Sequence, residues 1–191
     1  MYGEIGTATL MKDILFVHSA GPQGHHEGSD YLVSYLIDVL GPGYRISHPN
    51  MPDPENPHYS DWKITLRQEF ASRDDGLILI GHSLGASVLL KFLSEEKVHQ
   101  RIAGLFLISA VYWGKEDWDV KEYVLKRNFT SKLPPIEKIF LYHSRDDEVV
   151  PVSHLRYYAE VLPNAISREF AHRGHLFGKG LPELAEDIKG L

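Results

Sequence analysis

The 191-residue chain has no cysteine, so it can form neither a disulfide framework nor a thiol-based catalytic site. It also lacks a basic excess, because 20 Lys and Arg against 26 Asp and Glu give a formal net charge of −6. Neither nucleic acid nor an anionic membrane is therefore expected as a partner. No apolar run approaches the roughly 18 residues that span a bilayer, and the N-terminal segment has no basic stretch leading into an apolar core. We expect a cytoplasmic protein.

The chain does contain a regular alternation of short apolar runs with longer amphipathic stretches. This pattern predicts a single α/β domain, residues 1–191, built as a three-layer α/β/α sandwich around a mostly parallel sheet of about six strands. The predicted strands are 14–17, 44–47, 77–80, 102–108, 138–142 and 166–170. The predicted helices are 29–40 with Ser29 as its cap, one that begins at Ser60, 84–93, 153–162 and 182–188.

Two segments fall outside this alternation. Residues 1–10 are predicted to be a tail. Residues 110–133 are rich in aromatic and acidic side chains, and the regular pattern breaks there. We expect this longer connection to form a short cap over the carboxyl edge of the sheet.

The strongest chemical signal is Gly-His-Ser-Leu-Gly at positions 81–85, between a purely apolar run and an amphipathic helix. A serine hydroxyl is a poor nucleophile unless a base takes its proton and the chain holds it clear of the sheet. A sharp strand-to-helix turn holds it so, and the positions two before and two after must then be nearly free of side chain. Gly81 and Gly85 meet that need, and Ser83 is predicted as the nucleophile. The plainer interpretation is a glycine-flanked turn in which Ser83 caps a helix.

An acidic loop and a histidine loop follow this motif, in the chain order that accompanies a serine at such a strand-to-helix turn. The fifth strand leads into Asp-Asp-Glu-Val-Val-Pro at 146–151, and the sixth leads into His-Arg-Gly-His at 172–175. Both loops come just after the carboxyl end of a predicted parallel strand, where ligands bind in open α/β sheets. The three segments together predict a Ser–Asp–His catalytic triad.

These motifs resemble the α/β-hydrolase superfamily over nearly the whole chain. Together with Met-Pro-Asp-Pro at 51–54 and Trp62, they are most similar to the small serine hydrolases of the retinoblastoma-binding-protein type. The resemblance implies a reduced α/β-hydrolase fold. It also favours Asp147 over Asp146 as the acid, since the superfamily's acid stands four residues before the closing proline. His175 follows a glycine, as in the family pattern, and is preferred over His172 as the base.

An oxyanion hole needs two N–H donors aimed at the developing negative charge. The backbone of Leu84 is predicted as one donor. The resemblance suggests Ala20, in the loop after the first strand, as the other, although Ser19 stands where the superfamily has a glycine. Ser19, His82 and Trp113 are predicted as substrate contacts, with plain packing as the alternative for the tryptophan.

The predicted function is hydrolysis of a small ester, thioester or amide through an acyl-enzyme, with a carboxylesterase-like activity and no cofactor. The alternatives are an acyltransferase that uses the same triad, and a protein-binding module on this fold whose catalysis is weak or lost. A protein partner is thus possible but unspecified. The histidines at 25, 26, 172 and 175 could suggest a metal, but no acidic or histidine partner stands at a helical spacing from them, and no metal is expected.

Overall fold

The computed structural model describes residues 11–191, and the predicted tail at residues 1–10 lies outside them. The strands are β1 (Lys12–Val17), β2 (Tyr44–Ser47), β3 (Leu77–His82), β4 (Ile102–Ile108), β5 (Ile139–Ser144) and β6 (Ile166–Phe170). The helices are α1 (Asp30–Leu40), α2 (Tyr59–Ala71), α3 (Leu84–Glu95), α4 (Ser153–Val161) and α5 (Pro182–Lys189).

The six strands form one sheet in the order β2-β1-β3-β4-β5-β6, and every pairing is parallel. This confirms the predicted fold class, with the sheet wholly rather than mostly parallel in the described residues. Val17 on β1 pairs with Gly81 on β3, and Gly81 pairs with Leu107 on β4. The carboxyl ends of β1, β3, β4, β5 and β6 therefore meet along one edge, where their loops can share a site.

Two apolar cores hold the layers together, one on each face of the sheet. The alternate residues Ile78 and Ile80 of β3 face a core shared with α1 and α5. Leu77 and Leu79 face the opposite core, shared with α2, α3 and α4. Since β3 is buried on both faces, its continuous apolar run is explained, and the strand becomes a fixed base for the residues that follow it.

Helix α2 is tied to the proline-rich loop before it by a single buried side chain. Trp62 is fully buried, and its indole Nε1–H donates to the Pro52 carbonyl oxygen at 2.8 Å. The aromatic body thus fills the core while its one polar atom is satisfied, as buried tryptophans require. Leu66 and Phe70 follow at spacings of four on the same buried face.

Residues 110–133 contain no α-helix. They hold two short 3₁₀ turns, Lys121–Tyr123 and Phe129–Lys132. Tyr123 and Phe129 are buried, and Tyr123 Oη donates to the Pro57 carbonyl oxygen at 2.5 Å. Both side chains belong to the apolar core that α3 shares, so the segment packs on that face of the sheet.

The prediction that the Ser29 side chain caps α1 is wrong. Ser29 does precede the helix, but its hydroxyl makes no capping hydrogen bond. It is buried and turns instead toward His82, 2.8 Å from Nδ1. A capping serine accepts an N–H of the first helical turn with its oxygen. Here that oxygen accepts the Ser19 N–H at 2.9 Å instead, and the hydroxyl proton is directed to His82.

Candidate active site

Ser83 occupies the sharp turn between β3 and α3. Its backbone lies at φ 53° and ψ −119°, a region that residues other than glycine rarely adopt. A Cβ at Gly81 would lie 2.5 Å from Ala86 Cα, and one at Gly85 would collide with the carbonyl oxygens of the chain leaving β1. Both glycines are thus required by close backbone approach, and the turn that they permit projects Ser83 at the carboxyl edge.

His175 lies against Asp147. Its Nδ1 is 2.9 Å from both carboxylate oxygens of Asp147, and both side chains are almost completely buried. Burial alone would raise the pKa of Asp147, but hydrogen bonds from His143 and His175 hold that pKa well below its usual range. Because an ionised carboxylate only accepts, Nδ1 of His175 carries a proton, and Nε2 of the neutral ring is left as a bare acceptor.

The Asp147 carboxylate is held from several directions at once. Oδ1 accepts the backbone N–H groups of Val149 and Val150 at 2.9 and 2.8 Å. Oδ2 accepts the hydroxyl of Ser109 at 2.7 Å and lies 3.3 Å from His143 Nε2. This arrangement fixes the carboxylate in position before any substrate arrives.

Ser109 was missed by the sequence analysis. It follows β4 directly, with φ 45°, and its N–H donates to the Tyr142 carbonyl oxygen at 2.8 Å. Since β4 pairs with β5, the first residue after β4 lies beside the loop that carries Asp147. A polar residue at that position was the available signal.

The structure separates the two adjacent acids. Asp146 faces the backbone of the histidine loop, and its Oδ1 accepts the N–H groups of Arg173 and Gly174 at 3.1 and 3.0 Å. Its pKa is lowered to about 2, first by the Ser144 hydroxyl and then by Gly174 N–H. His172 is exposed, and its Nδ1 lies 3.6 Å from Asp146. Asp146 and His172 thus lie away from the Asp147–His175 pair.

Ser83 and His175 line one cavity of about 470 Å³. No hydrogen bond joins the Ser83 hydroxyl to His175 in the described part of the chain; such contacts commonly tighten when substrate binds. The other lining residues are mostly apolar and are Ser19, Ala20, Pro22, Gly28, Pro57, Leu84, Val111, Trp113, Trp118, Tyr123, Val149 and Leu176. The size and apolar wall are typical of a small-molecule site.

The structure brings the two predicted oxyanion donors to this cavity. Leu84 is the first residue of α3, where the N–H has no intrahelical acceptor. In the loop after β1, Ser19 N–H donates to Ser29 Oγ at 2.9 Å and Gly21 N–H donates to the Pro54 carbonyl oxygen at 2.7 Å. Ala20 lies between them, and its N–H has no acceptor among residues 11–191.

The three predicted substrate contacts lie in different surroundings. Ser19 and Trp113 line the cavity, where Trp113 packs edge-on against Trp118 with ring centroids 5.5 Å apart. His82 is fully buried and does not line it, and both of its ring nitrogens have protein partners.

A family model described as serine hydrolase matches residues 31–180. The chain belongs to the serine hydrolase family. It is therefore a hydrolase, and the resemblance drawn from its motifs is confirmed. YdeN of Bacillus subtilis (strain 168) is 25% identical over 168 residues, which are 87% of this chain and 86% of YdeN. The serine hydrolase RBBP9 of Rattus norvegicus is 28% identical over 153 residues, 78% of this chain and 79% of its own length.

Solved structures show the same fold for this serine hydrolase. The B. subtilis ydeN gene product superposes with a TM-score of 0.72 at 22% identity, covering 94% of this chain and 97% of that one. CarC, a serine hydrolase involved in carbazole degradation, superposes with a TM-score of 0.70 at 15% identity, covering 94% and 90%. Within residues 11–191, no helix of the serine hydrolase is both long and apolar enough to cross a membrane.

Outside this cavity, the serine hydrolase has one described group of three side chains that could hold a metal ion. Ligand atoms of His25, His26 and Asp30 all lie within 4.8 Å of one another. The expectation that no acidic partner stands at a helical spacing is wrong, because Asp30 lies four residues after His26, and the turn before α1 brings it to both histidines. Asp30 Oδ2 already accepts the His26 backbone N–H at 2.7 Å, and both histidines are exposed. His172 and His175 take no part in it.

The pKa values of two buried histidines indicate how the unfolding free energy of the serine hydrolase depends on pH. Burial, and then the neighbouring His175, lowers the pKa of His82 to about 3. Burial, and then His48, lowers the pKa of His18 to about 4. Below the ordinary pKa of 6.5 the unfolded chain binds protons that the folded chain does not, so stability falls as pH falls. Asp146 and Asp147, whose pKa values are depressed, add their own loss only below their ordinary value of 3.8.

We expect the unfolding free energy to drop as the pH falls from 6.5 to 4.5, with a slope that approaches about 1.4 kcal/mol per pH unit for each of His18 and His82. His18 is suited to the test, because neither of its ring nitrogens has a partner within the described residues. Urea unfolding at several pH values gives the unfolding free energy as a function of pH. This free energy should depend less steeply on pH for His18→Leu than for the wild type. An equal pH dependence in the two proteins would contradict the prediction.

Proposed function

We propose that this serine hydrolase cleaves small apolar carboxylic esters, with thioesters or amides of the same size as further substrates, through an acyl-enzyme on Ser83. The observation that carries the proposal is the orientation of His175. Its Nδ1 is 2.9 Å from a buried carboxylate, while the residue lines the same cavity as Ser83. A base held in one tautomer beside a projected serine is the arrangement that acyl transfer requires.

In the proposed reaction, Ser83 Oγ attacks the substrate carbonyl carbon while its proton passes to His175 Nε2. The carbonyl oxygen becomes an oxyanion, which the N–H groups of Leu84 and Ala20 stabilise. The bond to the leaving group then breaks, and His175 gives its proton to the departing oxygen, sulfur or nitrogen. Water repeats the cycle on the acyl-enzyme and releases the acid. Asp147 remains ionised and stabilises the charged imidazole throughout.

The proposed acyl site is the apolar part of the cavity. Trp113, Trp118 and Tyr123 form one wall, with Trp113 and Tyr123 centroids 4.9 Å apart. These side chains come from residues 110–133, which in this proposal act as the short cap. Each methylene group buried against such a wall contributes about 0.8 kcal/mol, or roughly a four-fold gain in affinity.

A panel of p-nitrophenyl esters tests this function. We expect kcat/KM to rise by roughly four-fold per added CH₂ from acetate until the acyl chain fills the cavity, and then to fall. A stoichiometric burst of p-nitrophenol should precede the steady state, because a carboxylic acyl-enzyme accumulates when deacylation is slow. A folded wild-type sample without burst or turnover would favour the protein-binding alternative, and efficient transfer to an added alcohol or amine would favour the acyltransferase.

Truncating the aromatic wall should change the preference for chain length. In Trp113→Ala the optimum is expected to move to longer acyl chains, because the lost indole leaves space that a longer chain can fill. Trp113→Phe keeps an aromatic surface and should move the optimum less. The ratio of kcat/KM for octanoate to that for butyrate measures the change. The same ratio in all three proteins would exclude Trp113 from the acyl site.

A further inference from the structure

His82, the residue just before the nucleophile, joins two loops that lie on different sides of Ser83. Its ring is fully buried. Nε2 lies 2.9 Å from the backbone carbonyl oxygen of His175, in the loop after β6. Nδ1 lies 2.8 Å from the hydroxyl of Ser29, which stands just before α1. The imidazole thus spans the space between the two loops.

The proton positions in this contact follow from its partners. A carbonyl oxygen only accepts, so His82 Nε2 must carry a proton and donate it to His175. The buried ring stays neutral near neutral pH, since its pKa lies at about 3. Nδ1 is therefore a bare acceptor, and the single proton of the Ser29 hydroxyl is donated to it.

The same hydroxyl also receives the loop after β1. Ser19 N–H donates to Ser29 Oγ at 2.9 Å, and the two serine hydroxyl oxygens lie 3.0 Å apart. Because Ser29 donates its only hydroxyl proton to His82, the Ser19 hydroxyl must be the donor in the contact between the two hydroxyl groups. The chain of hydrogen bonds thus runs from Ser19, through Ser29 and His82, to the backbone of His175.

Each end of this hydrogen-bond network lies next to a group that takes part in the proposed reaction. Ser19 N–H donates inward to Ser29 Oγ, and the next N–H, that of Ala20, has no acceptor among the described residues. At the other end, the carbonyl that His82 holds belongs to the residue whose ring lies against Asp147. The network therefore spans the distance between the second oxyanion donor and the base.

We propose that His82 and Ser29 are positioning residues. They fix the loop after β1, which carries Ser19 and Ala20 and is called here the oxyanion loop, relative to the loop after β6, which carries His175. This rests on the proposed function of Ser83 and His175. Neither positioning side chain lines the cavity, so their effect is on the placement of groups rather than on contact with substrate. Misplacement of a reacting group by about 1 Å can cost about 100-fold in rate.

Three substitutions divide the network at known points. In His82→Asn the side-chain oxygen replaces the Nδ1 acceptor, and the donor to His175 is lost. In His82→Gln the terminal amide replaces the Nε2 donor, and the acceptor for Ser29 is lost. Ser29→Ala removes the contacts to both His82 and Ser19. His99→Asn, at an exposed residue remote from the cavity, is the matched control.

We expect each network variant to lower kcat for the preferred p-nitrophenyl ester by about 10- to 100-fold, with KM changed less than three-fold. Ser29→Ala and His82→Gln release the oxyanion loop, so they should also weaken inhibition by a trifluoromethyl ketone, whose adduct carries an oxyanion. His82→Asn should instead displace the Nδ1–H proton resonance of His175, and His99→Asn should match the wild type in every measurement.

Two results would overturn the positioning role. One is wild-type kcat in network variants whose thermal unfolding shows them to be folded. The other needs no variant: ¹⁵N spectra of wild-type imidazoles at pH 7 that show His82 charged, or protonated on Nδ1. Failure of the proposed function itself is distinguishable, because the wild type would then show no burst and no turnover while the His82 spectrum remained as expected.

Discussion

Replacing Ser83 with alanine is expected to lower kcat for the preferred ester by about 10⁶-fold, to the limit set by the uncatalysed reaction and residual binding. The reason is chemical, because the hydroxyl is the proposed attacking group and no other hydroxyl stands at the apex of this turn. The background must be measured with heat-denatured protein, and the variant should release p-nitrophenol without a burst. Activity within 10-fold of the wild type would place the nucleophile elsewhere.

A glycine at the same position separates the chemistry from the backbone strain. Ser83 lies at φ 53° and ψ −119°, where a side chain costs on the order of 1–3 kcal/mol. Ser83→Gly should therefore be as inactive as Ser83→Ala but more stable, by about 1 kcal/mol, which raises Tm by about 2–4 °C. Ser83→Ala keeps a Cβ and should gain little. If the glycine variant melts no higher than the alanine variant, the turn is not strained.

Asp147→Asn is expected to lower kcat by about 10⁴-fold while the protein stays folded. The new amide oxygen can still accept the Val149 and Val150 N–H groups, which leaves the NH₂ group facing His175 and Ser109. His175 must then present a bare Nδ1 to that NH₂ group, so its proton moves to Nε2. In that tautomer the ring cannot accept the Ser83 proton.

The matched control is Asp146→Asn. Its side-chain oxygen can still accept the Arg173 and Gly174 N–H groups that hold the histidine loop, so we expect less than a 10-fold loss of kcat. Steady-state kinetics of the two purified variants on one ester give the comparison directly. A larger loss in Asp146→Asn than in Asp147→Asn would reverse the assignment of the acid.

The sheet was predictable because its strands are short apolar runs that end at polar or turn-forming residues. The bounds of β2, β4 and β6 agree with those predicted, and β5 begins one residue later and continues two residues further. Burial on both faces explains why the apolar run of β3 was unambiguous. Residues 110–133 were not predictable in detail, because 3₁₀ turns carry no strong periodicity and this segment takes its conformation from packing.

In the candidate site, chain order and position at strand ends were sufficient to bring Ser83, Asp147 and His175 to one edge. Contacts between side chains distant in sequence were not readable. Ser29 and His82 are separated by 53 residues, and Ser109 and Asp147 by 38. The pattern predicted Ser29 as a helix cap, but its oxygen accepts the Ser19 N–H and its proton is directed to the buried His82. Such polar contacts depend on the completed fold, because only there do the partners meet without water.

Covalent labelling of the folded wild type with a fluorophosphonate, followed by peptide mass spectrometry, identifies the nucleophile without assuming a substrate. We expect a single phosphonyl adduct on the Ser83 hydroxyl, formed much more slowly in Asp147→Asn and absent from Ser83→Ala. A folded wild-type protein that takes up no label, or takes it up at another residue, would contradict it.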